Sequence, residues 1–284
     1  GHLVLGVDGS PGSLAAVRWA ADLASRADLD LVAAWARTER DGEPPDPDAA
    51  GAATAPVEPT ILVTEGNPRQ ALLSVAREQD ADLLVVGPRG LGGLGGLRLG
   101  SVTNHLVHHT TVPLAVVPTA AATAAPPTAT TAAAQATAEP VGHLVLGVDG
   151  SPGSLAAVRW AADLAPRLGV RVTAVLAQDP LLEWVPEHDD HGWRRHARRL
   201  VEGWVADIRA AEVPVDVDID RDINPAAALT RASSRHPGSL VVVGGRRLSP
   251  VIRVRRGRVP LRILHDAAVP VAVVPATDDP GGPS

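Results

Sequence analysis

The chain of 284 residues lacks cysteine, methionine, phenylalanine and tyrosine altogether. Without cysteine it has no disulfides, no thiolate nucleophile, and no zinc or iron–sulfur site that needs cysteine ligands. Lysine is absent as well, so all 26 basic residues are arginines, which excludes a P-loop lysine and a Schiff-base lysine. The core must therefore be built from Val, Leu, Ile and Ala, with six tryptophans as its only large aromatic residues.

Charge and hydrophobic content indicate the broad class of protein. The net charge is −6 and 45% of residues are hydrophobic, a balance typical of a globular protein and unlike that of a generally basic nucleic-acid binder. Residues 1–7 show no basic leader before Asp8, so we expect no signal peptide and a cytoplasmic location. The uncharged stretch 110–137 contains four prolines and many threonines, which favours a strand and a linker over a membrane span.

An internal repeat organises the chain. Residues 1–24 recur without a change as residues 142–165, and later blocks match more loosely at a larger offset. Between the copies lies a low-complexity stretch of alanine, threonine and proline that is typical of a flexible spacer. We therefore predict a first domain over 1–118, a linker over 119–140, a second domain over 141–275, and a tail over 276–284.

Apolar periodicity within each copy alternates between strands and helices. The run HLVLGVD is typical of a parallel strand buried on both faces, and Ser10-Pro11 is a helix start. The alternation predicts two open parallel α/β sheets with helices on both faces. Residues 187–211 favour an arginine-rich helix in the second copy, whereas proline and glycine in 37–59 favour a loop in the first.

The most informative motif is a glycine-rich segment, G-x2-G-x9-G-S, over residues 87–101. Glycines leave backbone N–H groups free to converge on an anion, and the start of the following helix adds a favourable dipole. Ser101 contributes a hydroxyl, and Arg89 and Arg98 contribute positive charge. The segment predicts phosphate binding beyond the carboxyl end of the fourth strand.

The blocks V-x-G-V-D-G-S, A-D-L-L-V-V-G-x-R-G, G-x2-G-x9-G-S-V and V-P-L-A-V-V-P resemble those of the universal stress protein family. The chain looks like a tandem member whose first copy carries the glycine motif of the ATP-binding branch. The resemblance implies Rossmann-like sheets of five strands in the order 3-2-1-4-5, a role in stress response, and ATP as the cofactor. Mg²⁺ on the phosphates belongs to the alternative in which the same site hydrolyses ATP. The binding residues it implies are Gly6, Val7, Asp8, Ala34, Gly87, Pro88, Arg89, Gly90, Leu91, Gly92, Gly93, Gly100, Ser101 and Val102.

The same resemblance gives roles to these positions. Adenine is expected near Val7, Asp8 and Ala34, while the glycines and the start of the last helix hold ribose and phosphates. The fifth strands are expected to pair across a dimer-like interface, either between two chains or between the two copies of one chain.

The second copy departs from the motif. Arg247 and Arg258 replace its second glycine and its serine, so we expect a weaker second site. That site consists of Gly147, Asp149, Gly244 and Gly257. The arginine-rich loop over 246–258 indicates either an interaction surface for an acidic partner or another polyanion, or a solvated basic face. Nucleic acid is disfavoured because no aromatic residue lies among these arginines to stack on bases.

Catalysis has little support in the sequence. The carboxylates show no arrangement suited to acid–base work, which leaves weak ATP hydrolysis or autophosphorylation as an alternative at the same site. His105, His108 and His109 have helical spacing, and His188 and His191 flank two aspartates, but both groups are interpreted as surface features. We expect no catalytic residue and no resident metal site.

Overall fold

The computed structural model describes residues 1–37, 57, 59–90, 99–119, 139–177, 190–220, 224–245 and 259–276. The elements of the first half alternate as predicted: β1 (His2–Val7), α1 (Pro11–Ala27), β2 (Asp30–Arg37), β3 (Thr60–Glu65), α2 (Pro68–Glu78), β4 (Ala81–Val86), α3 (Ser101–His109) and β5 (Leu114–Val116). The second half follows with β6 (His143–Gly147), α4 (Pro152–Leu168), β7 (Arg171–Ala177), α5 (Asp190–Trp204), α6 (Ala206–Ala210), β8 (Val215–Asp220), α7 (Pro225–Ser234), β9 (Ser239–Gly244), α8 (Val259–Asp266) and β10 (Val271–Val274).

Identical local sequence produces identical helix starts in the two halves. Ser10 and Ser151 both adopt φ −70° and ψ 156°, and each side chain accepts a hydrogen bond from the backbone N–H three residues later. A proline then occupies the first turn, where its missing N–H costs nothing. The ends differ in sequence but not in geometry, because Asp28 and Gly169 both close their helices in the left-handed conformation.

The strands form one sheet, so our prediction of two separate five-stranded sheets is wrong. The ten strands run in the order β3-β2-β1-β4-β5-β10-β9-β6-β7-β8, which keeps the order 3-2-1-4-5 within each half. The halves join where β5 and β10 pair in antiparallel fashion, with Ala115 opposite Ala272. Both strands are short and fully buried, and pairing them satisfies backbone groups that two separate sheets would leave as open edges.

Two helical layers cover the sheet. Leu3 and Leu5 of β1 face the layer that contains α1, α4, α5 and α6, whereas Val4 faces the layer that contains α2, α3, α7 and α8. This alternation follows from the two-residue period of a strand, and it explains why the central strands are largely apolar, whereas the edge strand β8 (VDVDID) alternates apolar and acidic residues.

Reciprocal arginine contacts hold α1 against α4 across the junction. Arg26 donates from Nη1 to the Val141 carbonyl at 2.6 Å and from Nη2 to the Leu168 carbonyl at 3.0 Å. Its repeat counterpart, Arg167, donates to the Asp28 carbonyl at 3.3 Å. Each guanidinium thus lies at the C-terminal end of the other helix, where unpaired carbonyls favour positive charge.

The region between the second and third strands of each half was the least regular in sequence. In the second half, the single helix predicted over 187–211 is two helices, α5 and α6, with Val205 between them. The loop predicted for the first half and most of the predicted linker lie outside the described residues. Across the described ranges, no helix combines the length and apolar character needed to cross a membrane.

Candidate functional site

The candidate site lies where the strand order of the first half reverses, between the carboxyl ends of β1 and β4. These two strands are neighbours, and the chain leaves them for α1 and toward α3. Gly6 pairs in register with Ala34 of β2, which is only 1% exposed, while Val7 and Asp8 are partly exposed. In open α/β sheets such a reversal leaves a crevice for ligands, and the predicted residues of β1 line up at its edge.

The turn after β1 is tied to the loop after β4 by Ser10. The backbone N–H of Ser10 donates to Asp8 Oδ1 at 3.0 Å, which fixes the carboxylate beside the turn. The Ser10 hydroxyl donates to the Arg89 carbonyl at 3.2 Å and also accepts the N–H of Ser13. One buried serine therefore caps α1 and links both sides of the crevice.

Three glycines allow the two loops to approach each other closely. A Cβ on Gly87 would lie 2.6 Å from the backbone carbon of Gly12, and a Cβ on Gly12 would lie 2.9 Å from the Arg89 carbonyl oxygen. A Cβ on Gly90 would lie 2.2 Å from Asp8 Oδ2. Any side chain at these positions would force the loops apart or displace the Asp8 carboxylate.

The start of α3 completes the crevice. The N–H of Gly100 donates to the Pro88 carbonyl at 2.7 Å, and the Thr103 hydroxyl donates to the Gly87 carbonyl at 2.9 Å. A Cβ on Gly100 would lie 3.3 Å from the Arg89 Cα, so the helix begins directly against the glycine loop. Side chains cap the starts of α1 and α2, but the start of α3 has no side-chain cap. Its first N–H groups therefore favour an external anion.

The structure brings most of the predicted site residues together. Those at the crevice are Gly6, Val7, Asp8, Gly87, Pro88, Arg89, Gly90, Gly100, Ser101 and Val102. Leu91, Gly92, Gly93 and Arg98 lie outside the described residues. Sequence reasoning missed the part played by Ser10, Gly12 and Thr103. Gly12 was detectable, because a glycine in the first turn of a helix lowers helix propensity and so suggests close backbone contact.

The second half repeats the glycine contact but places an indole beside the equivalent turn. A Cβ on Gly244 would lie 2.2 Å from the backbone carbon of Gly153. A Cβ on Gly150 would lie 2.5 Å from Trp204 Cζ2, so the ring from α5 rests on the turn after β6. Gly147 ends β6 and Asp149 is exposed, with its Oδ1 accepting the Ser151 N–H at 2.9 Å. Gly257 and the arginine-rich loop lie outside the described residues.

The histidines of α3 lie near the C-terminal end of that helix. The His105 and His109 rings lie 4.2 Å apart. Burial, followed by the positive charges of His109, Arg69 and His108, lowers the pKa of His105 below its usual value. Within the described ranges, no three histidine or carboxylate side chains are grouped so that they could hold a metal ion.

Comparisons with known proteins agree with this architecture. The universal stress protein family model matches residues 1–118 and 140–275. A universal stress protein of Mycolicibacterium smegmatis is 31% identical over 301 residues, covering 96% of each chain. A universal stress protein of Mycobacterium tuberculosis is 30% identical over 233 residues, covering 78% of this chain and 67% of that one.

A solved structure supports the fold across both halves. The crystal structure of a universal stress protein from Archaeoglobus fulgidus covers 97% of this chain and 98% of its own, with a TM-score of 0.65 at 14% identity. The repeat, the strand order and the two family matches lead to one conclusion: this chain is a tandem member of the universal stress protein family.

Proposed function

We propose that the first half binds ATP and that the protein acts in stress response as a nucleotide-dependent regulator. The carboxylate of Asp8 lies on one side of the crevice, where it would meet the adenosine moiety. Gly87 and Gly90 let the loop after β4 approach Gly12 and the Asp8 carboxylate closely. Gly100 begins α3 beside that loop, and ribose and phosphates would be held by the backbone N–H groups there. Mg²⁺ would be held by the phosphates themselves, and it supplies charge neutralisation when bound.

One observation carries this proposal: the start of α3 is uncapped by any side chain and lies against Arg89 and Gly90. Backbone N–H groups there provide hydrogen bonds to a charged acceptor, each contributing about 1.5–3 kcal/mol. Several such bonds, after the entropy lost on association, are consistent with an affinity on the order of 1 μM. ADP and AMP share the adenosine contacts and are expected to compete with ATP. Occupancy of the site would therefore depend on the proportions of ATP, ADP and AMP.

We further propose that the second half binds nucleotide weakly through Gly147, Asp149, Gly244 and Gly257. Two arginines replace residues of the motif there, and the Trp204 ring rests on the turn that corresponds to Asp8–Ser10. One tight nucleotide per chain is therefore the expected stoichiometry.

The first test is direct identification of a bound nucleotide. Purified protein is heat-denatured, and the released small molecules are identified by mass spectrometry and counted against chain concentration. We expect one adenine nucleotide per chain. If none is released, and calorimetric titration with ATP, ADP, AMP and cAMP gives no heat, the proposal fails.

Ser101→Asp tests the role of the α3 start. A carboxylate at the first helical position complements the helix dipole, so the melting temperature is expected to hold or rise slightly. The same charge would repel the phosphates, and we expect ATP affinity to fall at least about tenfold, a loss of about 1.4 kcal/mol. Thr111→Asp, an exposed position beyond the other end of α3, is the matched control. Equal loss of affinity in both variants would mean that total charge, not the helix start, governs binding.

A further inference from the structure

The outer face of α5 carries a concentrated positive charge. Arg194, Arg195, Arg198 and Arg199 are all exposed, whereas Trp193, Ala197 and Val201 on the opposite face are buried against the core. Residues three or four apart are neighbours on a helix surface, so Arg194 and Arg198, like Arg195 and Arg199, lie side by side within two turns of α5. We call these four arginines, together with Leu200, the α5 basic face.

The other arginines around β8 are neutralised locally. Arg171 pairs with Asp216 at 3.1 Å, Arg231 pairs with Asp220 at 2.7 Å, and Arg235 pairs with Asp218. Arg209 pairs with Glu202 at 2.6 Å.

Three arginines of the α5 basic face differ from these neighbours. Among the described residues, no carboxylate lies within 4.0 Å of the guanidinium groups of Arg195, Arg198 or Arg199. Arg198 donates instead to the Val217 carbonyl at 3.4 Å. Within the described ranges, Arg195, Arg198 and Arg199 therefore have no carboxylate partner, in a chain whose net charge is −6.

We propose that the α5 basic face docks an acidic peptide segment of a partner protein. Guanidinium groups pair with carboxylates in a bidentate manner, and a row of them on a helix complements successive Asp or Glu side chains. Leu200 is 40% exposed beside Arg199, so the segment recognised would combine acidic residues with an apolar one.

The same observations disfavour other polyanions. Single-stranded nucleic acid is held by stacking on aromatic rings, but Trp193 is only 7% exposed and the Trp204 ring is used against Gly150. A membrane surface needs a broad apolar face beside the charges, and the apolar face of α5 is consumed by the core. Leu200 alone is too small for that purpose.

Each ion pair between an arginine of the α5 basic face and the peptide is expected to contribute little, so tight binding requires several of them. Exposed ion pairs are screened by salt, so several must form together. The interaction belongs to the second half and uses no residue of the crevice beside β4, so it does not depend on nucleotide bound in the first half.

The experiment titrates the full chain into a fluorescein-labelled peptide of about ten residues, mostly glutamate with two leucines. Binding is measured by the fluorescence anisotropy of the peptide. We expect binding at low ionic strength that weakens at least about tenfold when salt rises from roughly 50 to 300 mM. Arg195→Gln/Arg199→Gln should reduce affinity about tenfold or more, while Arg195→Lys/Arg199→Lys should retain most of it. Arg69→Gln/Arg77→Gln on α2 makes the same change in net charge and should alter affinity less than about twofold.

Two results would overturn the proposal. One is a peptide affinity that the two α5 substitutions leave unchanged while the protein remains folded by circular dichroism. The other is tighter binding of a single-stranded oligonucleotide, or of vesicles containing phosphatidylserine, through the same arginines. Either would assign the face to a different class of ligand or to none.

Discussion

The two halves begin with the same 24 residues, yet the same side chains end in different surroundings. His2 has a side chain that is 41% exposed beside Asp30, whereas its counterpart His143 is 7% exposed and stacked on His236. The helix starts, by contrast, are superimposable in their dihedral angles. The comparison teaches that a short sequence determines its own turns and caps, while burial and electrostatic setting are imposed by residues far away in the chain.

The largest difference in stability between the two halves is expected at a pair of equivalent tryptophans. Trp19 is 1% exposed, whereas its counterpart Trp160 is only partly buried. Trp19→Ala should therefore lower the free energy of unfolding by about 3–5 kcal/mol, and Trp160→Ala by about half of that or less. Urea denaturation of both variants measures the difference. Equal losses would show that the two helices are equally packed in solution.

The next largest difference in stability is expected between the two arginines that link α1 and α4. Arg26 donates to two carbonyls across the junction and Arg167 to one at a longer distance. Since hydrogen bonds from charged groups contribute about 1.5–3 kcal/mol when well formed, Arg26→Ala should cost about 2 kcal/mol and Arg167→Ala less than about 1 kcal/mol. Thermal denaturation of the two alanine variants tests the ranking, which a larger loss for Arg167→Ala would reverse.

The histidines should give an effect that is visible only as a pH dependence of stability. Burial, followed by the charges of His236 and Arg171, lowers the pKa of His143 from 6.5 to about 4. The unfolded chain therefore takes up a proton as the pH falls below 6.5, while the folded chain resists until about pH 4, so stability is lost over that window. We expect a loss on the order of 1–2 kcal/mol after allowing for solvent screening.

His143→Asn should flatten this pH dependence, because the titrating group is removed. His2→Asn is the matched control in the exposed setting and should leave the pH profile close to that of the parent chain. Melting temperatures recorded between about pH 4 and 7 provide the measurement. A profile that His143→Asn leaves unaltered would place the acid sensitivity elsewhere.

Sequence analysis predicted the elements better than their assembly. The apolar runs indicated where strands lie, and Ser10-Pro11 indicated where a helix begins, since these signals are local. The run that forms β5 shows only that a strand is buried on both faces. It does not reveal whether its neighbour lies in the same chain, so pairing between two chains and pairing between the two copies were both expected. The structure has the second, which joins the two predicted sheets into one.

In the candidate site, too, local features were predictable from the sequence and tertiary contacts were not. The glycine motif indicated which loop approaches the crevice, and the structure places Gly87, Gly90 and Gly100 there. The hydrogen bonds from Ser10 and Thr103 that lock the two loops depend on tertiary approach, so no spacing in the sequence announced them. Whether ATP occupies the crevice stays a prediction for the nucleotide measurements.

The antiparallel pairing of β5 with β10 has a consequence for how the molecule can be approached. All strands of one half point opposite to those of the other, so their carboxyl ends emerge on opposite rims of the shared sheet. A ligand bound at the carboxyl ends of the strands in the first half could therefore not contact a ligand bound at the equivalent place in the second half. Any coupling between ligands bound in the two halves would have to pass through the strands of the shared sheet.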